Sequence, residues 1–314
     1  MWLWIAFFVL VLVLLALDLL VFHRDPRATS LTTAVAWSSF WVGLGLAFSG
    51  VIYLAYHNGW IESTQAPGDA VIDYLTAYLM EESLSIDNLF VMALIFGSFR
   101  IRREHQHKIL FWGILGAIVA RTIMLAGGVW LVSRFTWVFY VFGGILVFSG
   151  AKLLMSRKHD DTAPRESRFA RLAGKVLPLT QKEHGGKLTA KENGRRVFTN
   201  AFLALVTIEV SDVVFAVDSV PAVLGITSES FVVVTSNIFA VLGLRSMFFV
   251  LAGMMHKFRY LQIALALLLV AIGAKLLLHT TIHIPNWISL VAVVGIISAG
   301  IVISLIADKR AQPS

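Results

Sequence analysis

The sequence predicts an all-α polytopic membrane helix bundle of about nine transmembrane helices, organised around an inverted three-helix repeat. Three observations lead there. Hydrophobic residues make up 58% of the 314 and charged residues only 14%, whereas soluble domains run near ~25% charged. Nine apolar stretches are long enough to cross a hydrocarbon core of about 30 Å. Lys and Arg gather in alternate loops, as the positive-inside rule requires.

The nine stretches run near Trp2–Phe22, Ala34–Tyr56, Val71–Phe99, Ile109–Val132, Trp137–Met155, Phe198–Leu224, Phe231–Met255, Tyr260–Leu278 and Pro285–Ala307. Turn formers such as Asp25-Pro26 and Ala66-Pro67-Gly68 separate them. The first has no basic residue ahead of it and no small-residue cleavage pattern behind it, so it reads as a retained helix. The chain then divides into helices 1 and 2 (1–70), repeat A (71–155), a basic loop (156–197), repeat B (198–280), and a last helix with its tail (281–314).

Basic residues fill the first, third, fifth and seventh loops and the C-terminal tail; the alternate loops hold only Arg134. This places the N-terminus outside and the C-terminus in the cytoplasm of an inner or plasma membrane. The formal charge of +7 is therefore an orientation signal, and nucleic acid is not an expected partner. The absence of cysteine excludes disulfides, thiolate metal sites and thiol redox chemistry.

The loop 156–197 holds eleven basic residues and few aromatics. It is expected to be partly disordered, or to form surface helices lying on anionic lipid. An alternative role for it is to recruit a membrane or secretion-machinery partner, which would make the chain a non-transporting subunit.

Three peptide pairs recur in the same order. Glu81-Glu82-Ser83-Leu84-Ser85-Ile86-Asp87-Asn88 parallels Asp212-Val213-Val214-Phe215-Ala216-Val217-Asp218-Ser219. Arg121-Thr122-Ile123-Met124 parallels Arg245-Ser246-Met247-Phe248, and Gly150-Ala151-Lys152-Leu153-Leu154 recurs as Gly273-Ala274-Lys275-Leu276-Leu277. The unit spans three helices, an odd number, so consecutive copies cross the membrane in opposite senses. Secondary transporters use that layout to place a site near the midplane between the copies.

The charge inside the spans points to a cation. Asp18, Glu81, Glu82, Asp87, Glu209, Asp212 and Asp218 face only Arg121, Arg245 and Lys275. A charge at the bilayer centre costs at least ~2.5 kcal/mol, so an excess of carboxylates needs protons or a bound cation. Ser83, Ser85, Asn88, Ser211, Ser219 and Asn237 add oxygen donors, and no histidine lies beside the acids. An oxygen-only set suits Mn²⁺, Mg²⁺ or Ca²⁺ over zinc or copper. A transporter coupling such an ion to protons would use both states of the carboxyls.

Residues six apart are displaced by about 120° on a helix, so Glu81 and Asp87 do not share a face. Either the acids serve two neighbouring pockets, or the helices are broken; Pro221 favours a break in the sixth span. Plainer roles stand beside these. Asp87, Asp212 and Asp218 could be structural partners of Arg121 or Arg245, and Asp18 could reach the interface. Lys152 and Lys275 could snorkel. Gly43, Gly45, Gly113, Gly116, Gly143 and Gly144 read as close-packing positions. An intramembrane protease is disfavoured, since Gly-x-Gly-Asp and His-Glu-x-x-His are absent, and no enzymatic activity is expected.

The segments Glu81-Glu82-Ser83-Leu84-Ser85-Ile86-Asp87-Asn88-Leu89-Phe90 and Glu209-Val210-Ser211-Asp212-Val213-Val214-Phe215-Ala216-Val217-Asp218-Ser219-Val220-Pro221-Ala222 resemble the two signature segments of the TerC/Alx family. Thr235-Ser236-Asn237-Ile238-Phe239-Ala240-Val241-Leu242-Gly243-Leu244-Arg245 resembles its third. The resemblance implies an integral membrane protein linked to tellurite resistance and to manganese efflux, within the LysE-like transporter group. Carried over by position, the implied metal ligands are Glu81, Asp87, Asn88, Glu209, Asp212, Asp218 and Asn237. Asp18, Glu82, Ser85, Ser211, Ser219, Arg121 and Arg245 stand as proton-carrying or supporting residues. An acid-lined pocket would repel a tellurite oxyanion, so tellurite resistance reads as indirect.

Overall fold

The computed structural model describes residues 2–22, 31–155, 180, 187–192, 195–254, 261–278 and 285–311. The helices are α1 (Trp2–Phe22), α2 (Leu31–His57), α3 (Pro67–Ser98), α4 (Arg103–Arg134), α5 (Val138–Met155), α6 (Asn200–Leu224), α7 (Ser230–Leu242), α8 (Leu244–Met254), α9 (Leu261–Leu277) and α10 (Asn286–Ala311). Strands β1 (Thr189–Glu192) and β2 (Arg195–Phe198) precede α6.

The helices follow the predicted spans, with the seventh divided into α7 and α8. By length and composition alone, α2, α4, α5, α6 and α10 are fit to cross a membrane, and the bent pair α7–α8 passes the same test if its two helices are taken as one span. The apolar parts of α1 and α9 are shorter. At 32 residues α3 has the length, but its carboxylates interrupt the apolar run.

Helix α6 shows how the bilayer shapes a bundle. Val210, Val213, Val214 and Val217 form an exposed stripe at helical spacing, while Asp212, Ala216 and Ser219 on the opposite side are buried. The apolar face looks outward and the polar face inward, the reverse of a soluble amphipathic helix.

The expected break at Pro221 is not there. Helix α6 runs unbroken from Asn200 to Leu224 with Pro221 inside it, and α3 is likewise continuous. Pro221 stands in the last turn, where its missing N–H leaves only one carbonyl without its usual donor. The break falls instead at Gly243, where α7 and α8 meet at 44°.

Helices α2 and α3 end in the same way. The N–H of Trp60 bonds to the Ala55 carbonyl and that of Gly59 to Tyr56, with Gly59 at φ 65°. At the end of α3 the N–H of Ile101 bonds to Phe96 and that of Arg100 to Gly97, with Arg100 at φ 52°. Both are left-handed caps satisfying the last carbonyls; glycine takes that conformation freely and arginine only at a cost.

Helix α3 lies centrally, packing against α2, α6, α7, α8 and α10, while α4 packs on α6 and α7. The most extensive pairing joins α5 to α9. It is antiparallel: a Cβ on Gly143 would meet the Gly273 carbonyl, and one on Gly150 would meet that of Ala266. Gly45, Gly113 and Gly116 are close-approach positions too. Gly43 and Gly144 are not, since a Cβ there would meet nothing within 4 Å.

Much of the basic loop 156–197 lies outside the described residues. Its final part is neither disordered nor helical: β1 and β2 form an antiparallel hairpin pairing Thr189 with Phe198 and Glu192 with Arg195. Its base is clamped to the bundle. The Thr199 hydroxyl donates to the Lys187 carbonyl at 2.6 Å and accepts the Phe202 N–H, capping α6. Leu188 packs on the apolar core.

A buried carboxylate–guanidinium centre as candidate functional site

Three helices meet at Arg121. The side chain is 1% exposed, and so needs partners inside the bundle. Its Nη2 donates to Asp212 Oδ1 at 2.8 Å and its Nε to Oδ2 at 3.1 Å, a two-point grip on one carboxylate. Its Nη1 contacts the carboxylate of Glu81, which is fully buried. One guanidinium from α4 therefore holds an acid from α3 and an acid from α6, and the three ionised groups sum to one negative charge. Such a centre is stable only while every member keeps its partner, because an unpaired charge in this setting is very costly.

Of the other predicted site residues, several sit on α3, α6 and α7. Ser85 and Asn88 are buried on α3, and Ser85 Oγ has no hydrogen-bond partner among the described residues. Asn237 on α7 is fully buried, and neither polar atom of its amide is satisfied there. The Ser219 hydroxyl on α6 is buried and unsatisfied as well. Ser211 is half-buried on the same helix. The side chain of Asp87 lies outside the described residues.

Glu209 stands one turn before Asp212, half-buried. Its carboxylate fills the space that a side chain at Gly116 would need, so a glycine in α4 makes room for it. Asp218 turns away from the centre. It accepts a hydrogen bond from Ser149 Oγ of α5 at 2.7 Å, with the Lys152 ammonium nearby. Six residues of helix separate it from Asp212, and the resulting rotation of about 120° sends the two acids to different neighbours. With continuous helices, the acids serve separate surroundings. Among the described residues no three His, Asp or Glu side chains converge at metal-ligand spacing.

Asp18 does not reach the interface. It is buried, and its Oδ2 accepts from Arg245 Nη1 at 2.9 Å, so α1 is tied into the bundle by a charge pair. Glu82 follows Glu81 yet meets different chemistry: its Oε1 accepts the Tyr78 hydroxyl at 2.8 Å and its Oε2 has no described partner. Tyr78 stacks on Tyr74, whose hydroxyl donates to the Gly45 carbonyl of α2.

Sequence reasoning passes over a second polar tier toward the start of α3. Asp73, two residues inside the predicted third span, is buried and accepts from Gln65 Nε2 at 2.8 Å. Glu229, before α7, accepts from Tyr56 and Ser63. Lys275 donates to Ser289 at 3.0 Å instead of snorkelling. Asp73 was legible from its position alone; the partners of Glu229 come from a helix and loop far away in sequence.

The model of the integral membrane protein TerC family matches residues 66–312. Among curated proteins, an uncharacterized membrane protein of Myxococcus xanthus is 42% identical over 312 residues, covering 99% of this chain and 94% of its own. A protein of Escherichia coli strain K12, printed as "Putative membrane-bound redox modulator Alx", is 39% identical over 314 residues, covering 98% and 95%. An uncharacterized membrane protein of Rickettsia felis is 38% identical, covering 96% of this chain and 97% of its own. No solved structure matches the chain.

Proposed function

The chain belongs to the TerC family of integral membrane proteins, and from that premise we propose that it exports a divalent cation, Mn²⁺ first among candidates, across the inner or plasma membrane in exchange for protons. The observation that carries the reading is the shared guanidinium: Glu81 and Asp212, first-helix acids of the two proposed repeats, converge on Arg121 in the interior. Arg121 then acts as an internal stand-in cation. It neutralises the two carboxylates while no ion is bound, and must swing off them for a metal to take its place. Two carboxylates, with the unsatisfied amide of Asn237 and the hydroxyls of Ser85 and Ser219 as further oxygen donors, make a hard site suited to Mn²⁺ or Mg²⁺.

Glu209 and Asp218 are two acids of α6 that no guanidinium holds among the described residues. Both are half-buried, which places them to trade protons with water as the ion moves. The positive-inside pattern orients the hairpin and C-terminal tail to the cytoplasm. The redox wording in the names of relatives finds no thiol support within these residues, because the chain contains no cysteine.

The test is Mn²⁺ flux into proteoliposomes under an imposed pH gradient, comparing the wild-type chain with Glu81→Gln and Asp212→Asn. Flux in the wild type and its loss in both variants is the expected result. A wild type that moves no divalent cation under a gradient of either sign, beside a working control transporter, would sink the proposal.

A further inference from the structure

We infer that the outward face of the β1–β2 hairpin is a docking surface for the anionic headgroups of the surrounding phospholipids. Lys191 and Arg196 are direct cross-strand partners, so their side chains stand on one face, and both are exposed. Like charges opposite one another weaken an antiparallel pair. No acid among the described residues relieves them: Glu192 points to the other face, where it accepts the Thr180 hydroxyl at 2.7 Å. Lys187, also exposed, adds charge at the base of β1.

A free two-stranded hairpin is marginal in water, so a hairpin carrying this repulsion needs support. Thr199 and Leu188 supply it from below. That clamp also sets the height of the cationic face. Strand β2 ends at Phe198 and α6 begins at Asn200, and the Phe198 ring lies 4.3 Å from that of Phe202 in the first turn of α6. Basic side chains beside an aromatic ring, at the point where an apolar span begins, match the headgroup layer of a membrane. A phosphate anion in solution offers the same chemistry, but the lipid offers it at a fixed height and high local density. The inference does not depend on which ion the bundle carries.

The cysteine-free chain makes the test direct. Thr189 is exposed, on the same face as Lys191 and Arg196. A Thr189→Cys variant of the full chain, labelled with an environment-sensitive fluorophore, is placed in nanodiscs of phosphatidylcholine, with or without phosphatidylglycerol. The expected result is a blue shift and protection from acrylamide in the anionic discs only, suppressed by high salt. The Lys191→Ser/Arg196→Ser pair should abolish the shift, the attraction weakening about fivefold per charge removed. Its thermal midpoint in detergent should stay at or above that of the parent. Equal signals in both disc types, or a shift that survives the double substitution, would overturn the inference. So would a shift reproduced in neutral discs by millimolar inorganic phosphate, which would make the face a soluble-anion site.

Discussion

Glu81 and Glu82 are neighbours in sequence and opposites in surroundings. Glu81 is held by a guanidinium shared with another helix, whereas Glu82 is held by a tyrosine hydroxyl among stacked rings and has no basic partner among the described residues. A single residue step rotates a helix by about 100°, which is enough to put one carboxyl into the centre joining α3, α4 and α6 and the other against α2 and Gly243. Two adjacent acids in a membrane motif therefore need not share a job. The first belongs to a charge network whose members depend on each other; the second belongs to a packing surface, where a neutral replacement should be tolerated.

That contrast can be broken most forcefully at Arg121. Arg121→Ala strands two carboxylates without a cation and should cost about 3–5 kcal/mol, read as a lowered thermal midpoint in detergent. Added Mn²⁺ should raise the midpoint of this variant more than that of the wild type, because ion and guanidinium compete for the same oxygens. An equal rise in both would separate the metal from this centre. Glu81→Gln should cost less, roughly 2–3 kcal/mol, since Arg121 keeps Asp212. Gly45→Ala probes the other side: the added methyl would press on the Tyr78 ring, for about 1–3 kcal/mol of overpacking. Tyr78→Phe removes one buried hydrogen bond, worth about 1 kcal/mol. Glu82→Gln should be the mildest change, within about 1 kcal/mol of wild type and on the stabilising side, because it removes a desolvated carboxyl that no cation among the described residues compensates. A large loss at Glu82 would erase the distinction between the two acids.

Much of the bundle was legible in the sequence because a lipid-facing helix leaves a coarse trace. Apolar runs of fixed length and alternating basic loops outline the spans without knowledge of any contact. The pairing of Arg121 with Asp212 was also within reach, since a buried guanidinium has few alternatives to a carboxylate. What sequence does not reveal is which acid an arginine selects. The partnership of Asp18 with Arg245 spans most of the chain, and nothing local to Asp18 marks it as interior. Pro221 misled because a proline is read as a break regardless of how near it stands to a helix end. The bend at Gly243 carries only a glycine as its sign. The hairpin did leave a signal: Asn193-Gly194 links Glu192 to Arg195, and Asn-Gly is the favoured two-residue hairpin loop. The eleven basic residues of that loop mask so short a signal.

The approach of α5 to α9 has a consequence for which sequences this bundle can accept. At Gly143 the obstacle to a side chain includes the backbone carbonyl of Gly273, and the reverse holds at Gly273. No rotamer change can relieve a collision of a Cβ with the facing main chain. Gly144, the next residue, is exposed and opens onto empty space. A saturation library across this segment should therefore show an abrupt step between adjacent codons: nearly every replacement rejected at position 143, and most apolar ones accepted at 144.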